Sequence, residues 1–345
     1  MTLLTMDDFS AEIRYAASAL EAGDLVAFPT ETVYGLGADA ENPEAVAKIY
    51  AVKGRPSDHP LIVHLAPEAD ISYWASDIPD EARSLISAFW PGPLTLILKR
   101  AEHIPADVAG GQDTIGLRCP SHPVAQALLR EFKRGKGGVA APSANKFGHI
   151  SPTTAQHVRE EFGDDARIGA ILEGGQSEVG IESTILDMSR FHTHGPVLLR
   201  PGRISAQDIA GVLGIYPAMP DSEAPRASGT LSSHYAPRTP VVLAGTDMLR
   251  TTFRKFIRAG KLVAVLGYSP IILQDAIIQL TMPNTPEGYA HELYSSLRML
   301  DDVWADLILV ESPPATPAWE GVNDRLRRAA HDEGGKIDKL LETGT

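Results

Sequence analysis

Lys53 and Arg55 stand one residue apart in the run Lys-Gly-Arg-Pro-Ser-Asp-His-Pro (53–60). In an extended backbone, side chains two positions apart share one side, so both cations can converge on a single anion, and a polyphosphate suits such a pair. For the pair alone, a solvated basic turn is the commoner reading, since exposed charges are the default. Five further pieces could join it. Thr30, Thr32 and Tyr34 bring three hydroxyls to the glycine-bearing stretch FPTETVYGLG (28–37), although threonines in turns often satisfy their own backbone. His64 closes an apolar strand, where its imidazole either finds a core partner or lines a pocket. Arg118 ends the run Ile115-Gly-Leu117, and a buried guanidinium there needs an anion: an Asp or Glu of the fold, or a substrate carboxylate. The small, polar strand exit Ala-Ala-Pro-Ser-Ala-Asn (140–145), continuing to Ser151, suits a flat ligand such as a base and its ribose, and Gly-Ile-Glu-Ser-Thr (180–184) is another loop of small and hydroxyl residues, leading into a strand.

Familiar machinery is missing. No Walker loop, HExxH, EF-hand loop or GxSxG elbow occurs. Gly35-Leu-Gly-Ala-Asp-Ala40 matches GxGxxA with Asp58 about twenty residues on, but a dinucleotide site needs its glycines directly after the strand, and six residues intervene after Phe28. The formal charge of −13 opposes a generally basic nucleic-acid or membrane surface, so any polyanion site is local. One cysteine, Cys119, excludes an intrachain disulfide and a cysteine-cage zinc site. No metal ligands are predicted. The N-terminus lacks a basic stretch followed by an apolar one, and no run approaches the ~18 apolar residues of a membrane span, so a cytoplasmic protein is expected.

The elements that must carry these pieces alternate from the start. A helix is expected over 9–22 with Gly23 as its cap, a strand over 25–28, a helix over 43–52 stopped by Pro56 and Pro60, and a strand over 61–65. Strand patterns follow at 94–98, 114–117, 139–141, 170–172, 184–187 and 197–200, with helices at 81–89, 122–131 and 154–162. Their irregular mixing predicts an α/β domain with a twisted mixed sheet over 1–205. Residues 217–240 are rich in Pro, Ser, Gly and Ala, and 206–240 is expected to be a linker folding over the first domain's site. Strict strand–helix alternation over 241–345 predicts a smaller, Rossmann-like parallel α/β domain.

In this order the motifs resemble the YrdC-like L-threonylcarbamoyladenylate synthase family in its long two-domain form. The carriers are PTETVYGLG, KGRP followed by HPL, FWPGPLT, TIGLRCP, APSAN, GxESTILD, LLRPG and SGTLSSHYAP, spread over about residues 20–240. The resemblance implies a nucleotidyltransferase that joins L-threonine, bicarbonate or CO2, and ATP into threonylcarbamoyl-AMP and pyrophosphate. A separate tRNA threonylcarbamoyl transferase system then moves the group to the adenosine beside the anticodon. It implies catalytic phosphate contacts from Lys53 and Arg55. It implies threonine contacts from Thr32, His64, Arg118, Ser183 and the backbone of Ala141. Nucleotide contacts are implied for His59, Thr114, Ser143, Asn145, Ser151, Arg200 and Tyr235. His59 stands where the family commonly has Asn, though His still donates a hydrogen bond. Mg2+ is expected to travel with ATP on its phosphates and not in a protein cage. Direct tRNA binding is expected to be weak or absent; an RNA-binding module without catalysis is the alternative, against which the overall acidity counts.

Overall fold

A computed structural model of the chain describes residues 6–230, 234–331 and 341. The chain divides into two units, Met1–Phe147 with Pro152–Thr230, and Gly148–Ser151 with Leu231–Thr345.

The first unit holds strands β1 (Leu25–Phe28), β2 (Gly35–Asp39), β3 (Ile62–Leu65), β4 (Ala75–Ser76), β5 (Leu94–Arg100), β6 (Thr114–Arg118), β7 (Gly138–Ala140), β8 (Ile168–Ile171), β9 (Thr184–Asp187) and β10 (Val197–Arg200). They pair in the order β10-β9-β5-β6-β3-β7-β2-β1-β8, with β4 added to the end of β5. Pairs β1–β8, β3–β6 and β5–β9 are parallel and the others antiparallel, so the sheet is mixed as the sequence predicts.

Side chains alternate across a strand, and the alternation sorts this sheet into two unlike faces. Val63, Leu65, Leu96, Leu98 and Leu117 bury into one large apolar core. On the opposite face the cover is split. Val26, Phe28, Val139 and Ala141 pack under helices Met6–Glu21 and Pro123–Glu131 in one cluster, while Ile62, Ile97, Ile185, Val197 and Leu199 form a smaller one with Ala227. Charged and hydroxyl side chains of β3, β5 and β6 share that second face.

The stretch 28–37, expected to be an irregular loop, ends in a strand. Gly35–Asp39 pairs antiparallel with β1 and with β7, so these glycines open no helix and the dinucleotide pattern has no structural counterpart. A Cβ on Gly37 would sit 2.7 Å from Val139 Cγ1 and 2.8 Å from Phe28 Cε1; glycine is there because the neighbours fill the space a side chain would need. Helix Pro43–Lys53 follows its sequence signals: Asn42 Oδ1 accepts from the Glu44 and Ala45 N–H groups, Pro43 opens the helix, and Gly54, at φ 63°, closes it in the left-handed region. This ending sets Lys53 and Arg55 on either side of a turn. After β10, helix Ala206–Leu213 begins with a Ser205–Asp208 capping box.

In the second unit, β11 (Val241–Ala244), β12 (Val263–Gly267), β13 (Ile278–Thr281) and β14 (Leu307–Glu311) run parallel in the order β11-β14-β12-β13. Leu249, Phe253 and Phe256 of helix Thr246–Arg258 cover one face. Strand β13 is not predicted from sequence because, as an edge strand, it is only half-buried.

Candidate active site

Parallel pairing of β3 with β6 sets Ile62 opposite Gly116 and His64 opposite Arg118. His64 and Arg118 are therefore neighbours on the second face, 3% and 4% exposed. The His64 ring stands edge-on to Phe28, with centroids 6.0 Å apart, and its Nδ1 lies 3.3 Å from Ile62 O. Burial, reinforced by Arg118, pushes its pKa down to about 3, so the imidazole is neutral. Arg118 meets a carboxylate of the fold: Nη2 donates to Glu31 Oε1 at 2.7 Å, and Nε reaches Gly92 O at 3.4 Å. Of the two anions open to Arg118 on sequence grounds, Glu31 is the one in place. Its Oε2 accepts the Ser121 N–H at 3.0 Å.

The hydroxyl-rich turn before β2 is partly self-satisfied. Thr30 Oγ1 donates to Val33 O at 2.6 Å and lies 2.9 Å from Thr32 Oγ1. Tyr34 braces a neighbouring loop, donating to Gly175 O at 3.0 Å and accepting the Gly174 N–H at 3.1 Å; burial pushes its pKa up to about 12. Thr32 is fully buried, its hydroxyl against that of Thr30.

A second line of contacts runs from the Lys-x-Arg turn. Arg55 Nη2 donates to Pro60 O at 2.9 Å and approaches Ser228 Oγ at 3.4 Å. Arg200 Nη1 donates to Ser228 O at 2.8 Å, while Nε and Nη2 donate to Ser183 O and Oγ at 3.0 and 3.1 Å. Ser183 Oγ in turn lies 2.8 Å from Thr95 Oγ1. Arg55, Ser228, Arg200, Ser183 and Thr95 thus form one continuous network. Thr95 and Ser228 escaped sequence reasoning: the first reads as ordinary strand alternation and the second as part of a linker.

Lys53 ties the turn to the exit of β7. Its Nζ donates to Ser143 O at 2.5 Å and to Asn145 O, and the Phe147 N–H returns a bond to Lys53 O at 2.8 Å. Burial, with Arg55 beside it, holds the ammonium pKa well below the lysine range, against the opposing pull of Glu161. The Ala141 N–H donates to Ile62 O at 2.9 Å. His59 faces Phe147 edge-on at 5.4 Å, and burial together with Arg55 lowers its pKa. Thr114 opens β6, four residues before Arg118, about 13 Å along the strand. Ser151 and Tyr235 belong to the second unit. There Tyr235 is buried, its ring 5.8 Å from Tyr294 and 5.5 Å from the Arg325 guanidinium.

One end of this face thus offers a guanidinium, a neutral imidazole and small hydroxyls, a set suited to an amino acid's carboxylate and side-chain hydroxyl. The other offers two cations beside a loop of small residues, suited to a nucleotide. Residues 18–202 match a family described as "Telomere recombination", and residues 204–331 match "Threonylcarbamoyl-AMP synthase, C-terminal domain". The chain is 40% identical over 330 residues to a threonylcarbamoyl-AMP synthase of Pyrococcus abyssi, covering 92% of this chain and 94% of that one. A Bacillus subtilis threonylcarbamoyl-AMP synthase is 38% identical, with 94% of each covered. Among solved structures, P. abyssi Sua5 complexed with L-threonine superposes with a TM-score of 0.84 at 38% identity, over 93% of this chain and 94% of that one. The chain belongs to the threonylcarbamoyl-AMP synthase family, in the long form that carries both domains.

Proposed function

We propose that the first domain performs the family's reaction on the two-ended face just described, with threonine at the Arg118 end and ATP at the Lys53–Arg55 end. The observation that carries this division is the β3–β6 register, which pairs His64 with Arg118. Arg118 holds the threonine carboxylate, a charge-assisted contact between planar groups. Thr32, His64, Ser183 and the Ala141 carbonyl select the hydroxyl and amine; a neutral imidazole can accept a hydrogen bond where an imidazolium could not.

The chemistry takes two bonds. The threonine nitrogen, as its free amine, attacks the carbon of CO2 and releases a proton, or attacks the carbon of bicarbonate and releases water, to give a carbamate. A carbamate oxygen then attacks the α-phosphorus of ATP, and the bond to the β-phosphate oxygen breaks to release pyrophosphate. Both partners are anionic, so positioning and positive charge dominate the barrier. Lys53 and Arg55 supply that charge. Nearby negative charge favours the protonated ammonium, so ATP binding should raise the Lys53 pKa from its lowered position. Ser143, Asn145, His59, Thr114 and Arg200 orient the nucleotide; the parts of Ser151 and Tyr235 follow from the resemblance alone.

Mg2+ neutralises the phosphates when it is bound with ATP. Among the described residues no group of three or more His, Cys, Asp or Glu side chains could hold a metal ion; that the ion travels on the phosphates of ATP follows from the resemblance. The product passes to a tRNA threonylcarbamoyl transferase system. No helix among the described residues is long and apolar enough to cross a membrane.

The test is to incubate the protein with ATP, L-threonine and bicarbonate, measuring pyrophosphate and the adenylate by mass spectrometry while omitting each substrate in turn. Adenylate formation should need all three. Pyrophosphate release without threonine would overturn the proposal.

A further inference from the structure

We infer that Glu31 is a positioning residue for threonine, holding the Arg118 guanidinium in the plane from which it meets the substrate carboxylate. The inference rests on the assignment of Arg118 to that carboxylate. Glu31 lies between β1 and β2 and is 3% exposed. Three chain segments meet at it: Oε1 accepts Arg118 Nη2 at 2.7 Å, Oε2 accepts the Ser121 N–H at 3.0 Å, and the Glu31 carbonyl accepts the Val179 N–H at 2.7 Å. The carboxylate is therefore fixed before any ligand arrives.

Arginine carries five N–H donors in a rigid fork on a long, flexible stem. Anchoring one nitrogen to a fixed carboxylate orients the whole plane. Nη1 makes no hydrogen bond to any described residue and is left to face a ligand. A carboxylate so close also weakens the pull of Arg118 on a second anion, so strength of attraction does not explain its presence. Geometry does: without Glu31 the substrate itself would have to order the side chain, and affinity for threonine would fall.

The substitution Glu31→Gln probes this at constant shape. An amide has one acceptor oxygen and one NH2 group, so its nitrogen must face either Arg118 or the Ser121 N–H, donor against donor. Steady-state kinetics on the full chain would compare L-threonine with L-threoninamide, which lacks the negative carboxylate. Expected for Glu31→Gln is a threonine KM raised about tenfold, with kcat and the ATP KM within about threefold, and a preference for threonine over the amide narrowed about tenfold. Glu31→Asp, one methylene shorter but charged, should recover part of that preference.

A threonine KM unchanged or lowered in Glu31→Gln overturns the inference, as does an equal loss on both substrates, which a loosened fold would produce. If Glu31→Gln does not fold, as judged by its melting curve, Glu31→Asp is held to the same preference ratio. Arg118→Ala separates the two levels. If Arg118→Ala leaves the preference intact, the assignment of Arg118 fails and Glu31 falls with it; if Arg118→Ala abolishes the preference and Glu31→Gln keeps it, only the inference on Glu31 fails.

Discussion

The two domains bury polar groups on opposite terms. In the second, three of the four parallel strands are apolar almost throughout, and the buried carboxylate of Glu311 turns inward to serve the fold, its Oε2 accepting the Tyr268 and Ser269 N–H groups at 2.7 Å each. In the first, Thr95, His64, Arg118, Ser183 and Arg200 are all buried and all gather on one face of a mixed sheet. Parallel sheets are covered on both faces by their crossover helices, whereas a mixed sheet can leave part of one face to another use. Here the buried polar side chains lie between the apolar cluster under helix Met6–Glu21 and the smaller one around Ile185. That polar strip on an otherwise apolar face, more than any single motif, separates the first domain from its companion.

That contrast can be broken at several points. The largest effect is expected from replacing both Lys53 and Arg55 by Ala, which should abolish adenylate formation and nucleotide binding; a nucleotide titration matching the parent would refute the phosphate role. Arg118→Ala removes the proposed substrate contact, worth roughly 1.5–3 kcal/mol, and should raise the threonine KM about 10- to 100-fold. It also strands Glu31 as a buried charge, at a cost to stability of about 3–5 kcal/mol, readable by denaturant unfolding. Leu309→Ala in the second domain is the converse experiment. A cavity there should cost about 2–5 kcal/mol while leaving the threonine KM within about twofold, and a larger change in KM would erase the distinction drawn here.

The smallest effect concerns pH. An unfolded His64 takes up a proton near pH 6.5, but the folded one does not until about pH 3. Protons therefore favour the unfolded chain across that window: the stability linked to neutral His64 is complete above 6.5 and is lost as pH falls toward 3. Comparing unfolding free energies of the parent and His64→Gln over this range isolates the contribution, and parallel slopes would show that burial of the imidazole carries none.

Much of this was legible beforehand. Proline, glycine and caps mark helix Pro43–Lys53, and apolar runs mark β3, β5 and β6. Strand β2 was not, because Gly-Leu-Gly-Ala-Asp lacks strand-forming side chains and pairs only where Phe28 and Val139 need the room. Tyr34 read as an open hydroxyl, yet its partners lie 140 and 141 residues away. Glu31 gave no signal at all. One carboxylate in a turn looks like any other until the fold brings Arg118 to it across 87 residues.

The network joining Arg55 to Thr95 also bears on how the molecule comes into being. Lys53 and Asn145 are 92 residues apart, Thr95 and Ser183 are 88, and Arg55 and Ser228 are 173. Contacts so distant in sequence incur loop-closure entropy before they return any energy, so they form late in folding. A ribosome must deliver Ser228 before Arg55 can meet that hydroxyl. A partly synthesised chain can hold strands and helices, but it has no half-working version of this site to offer.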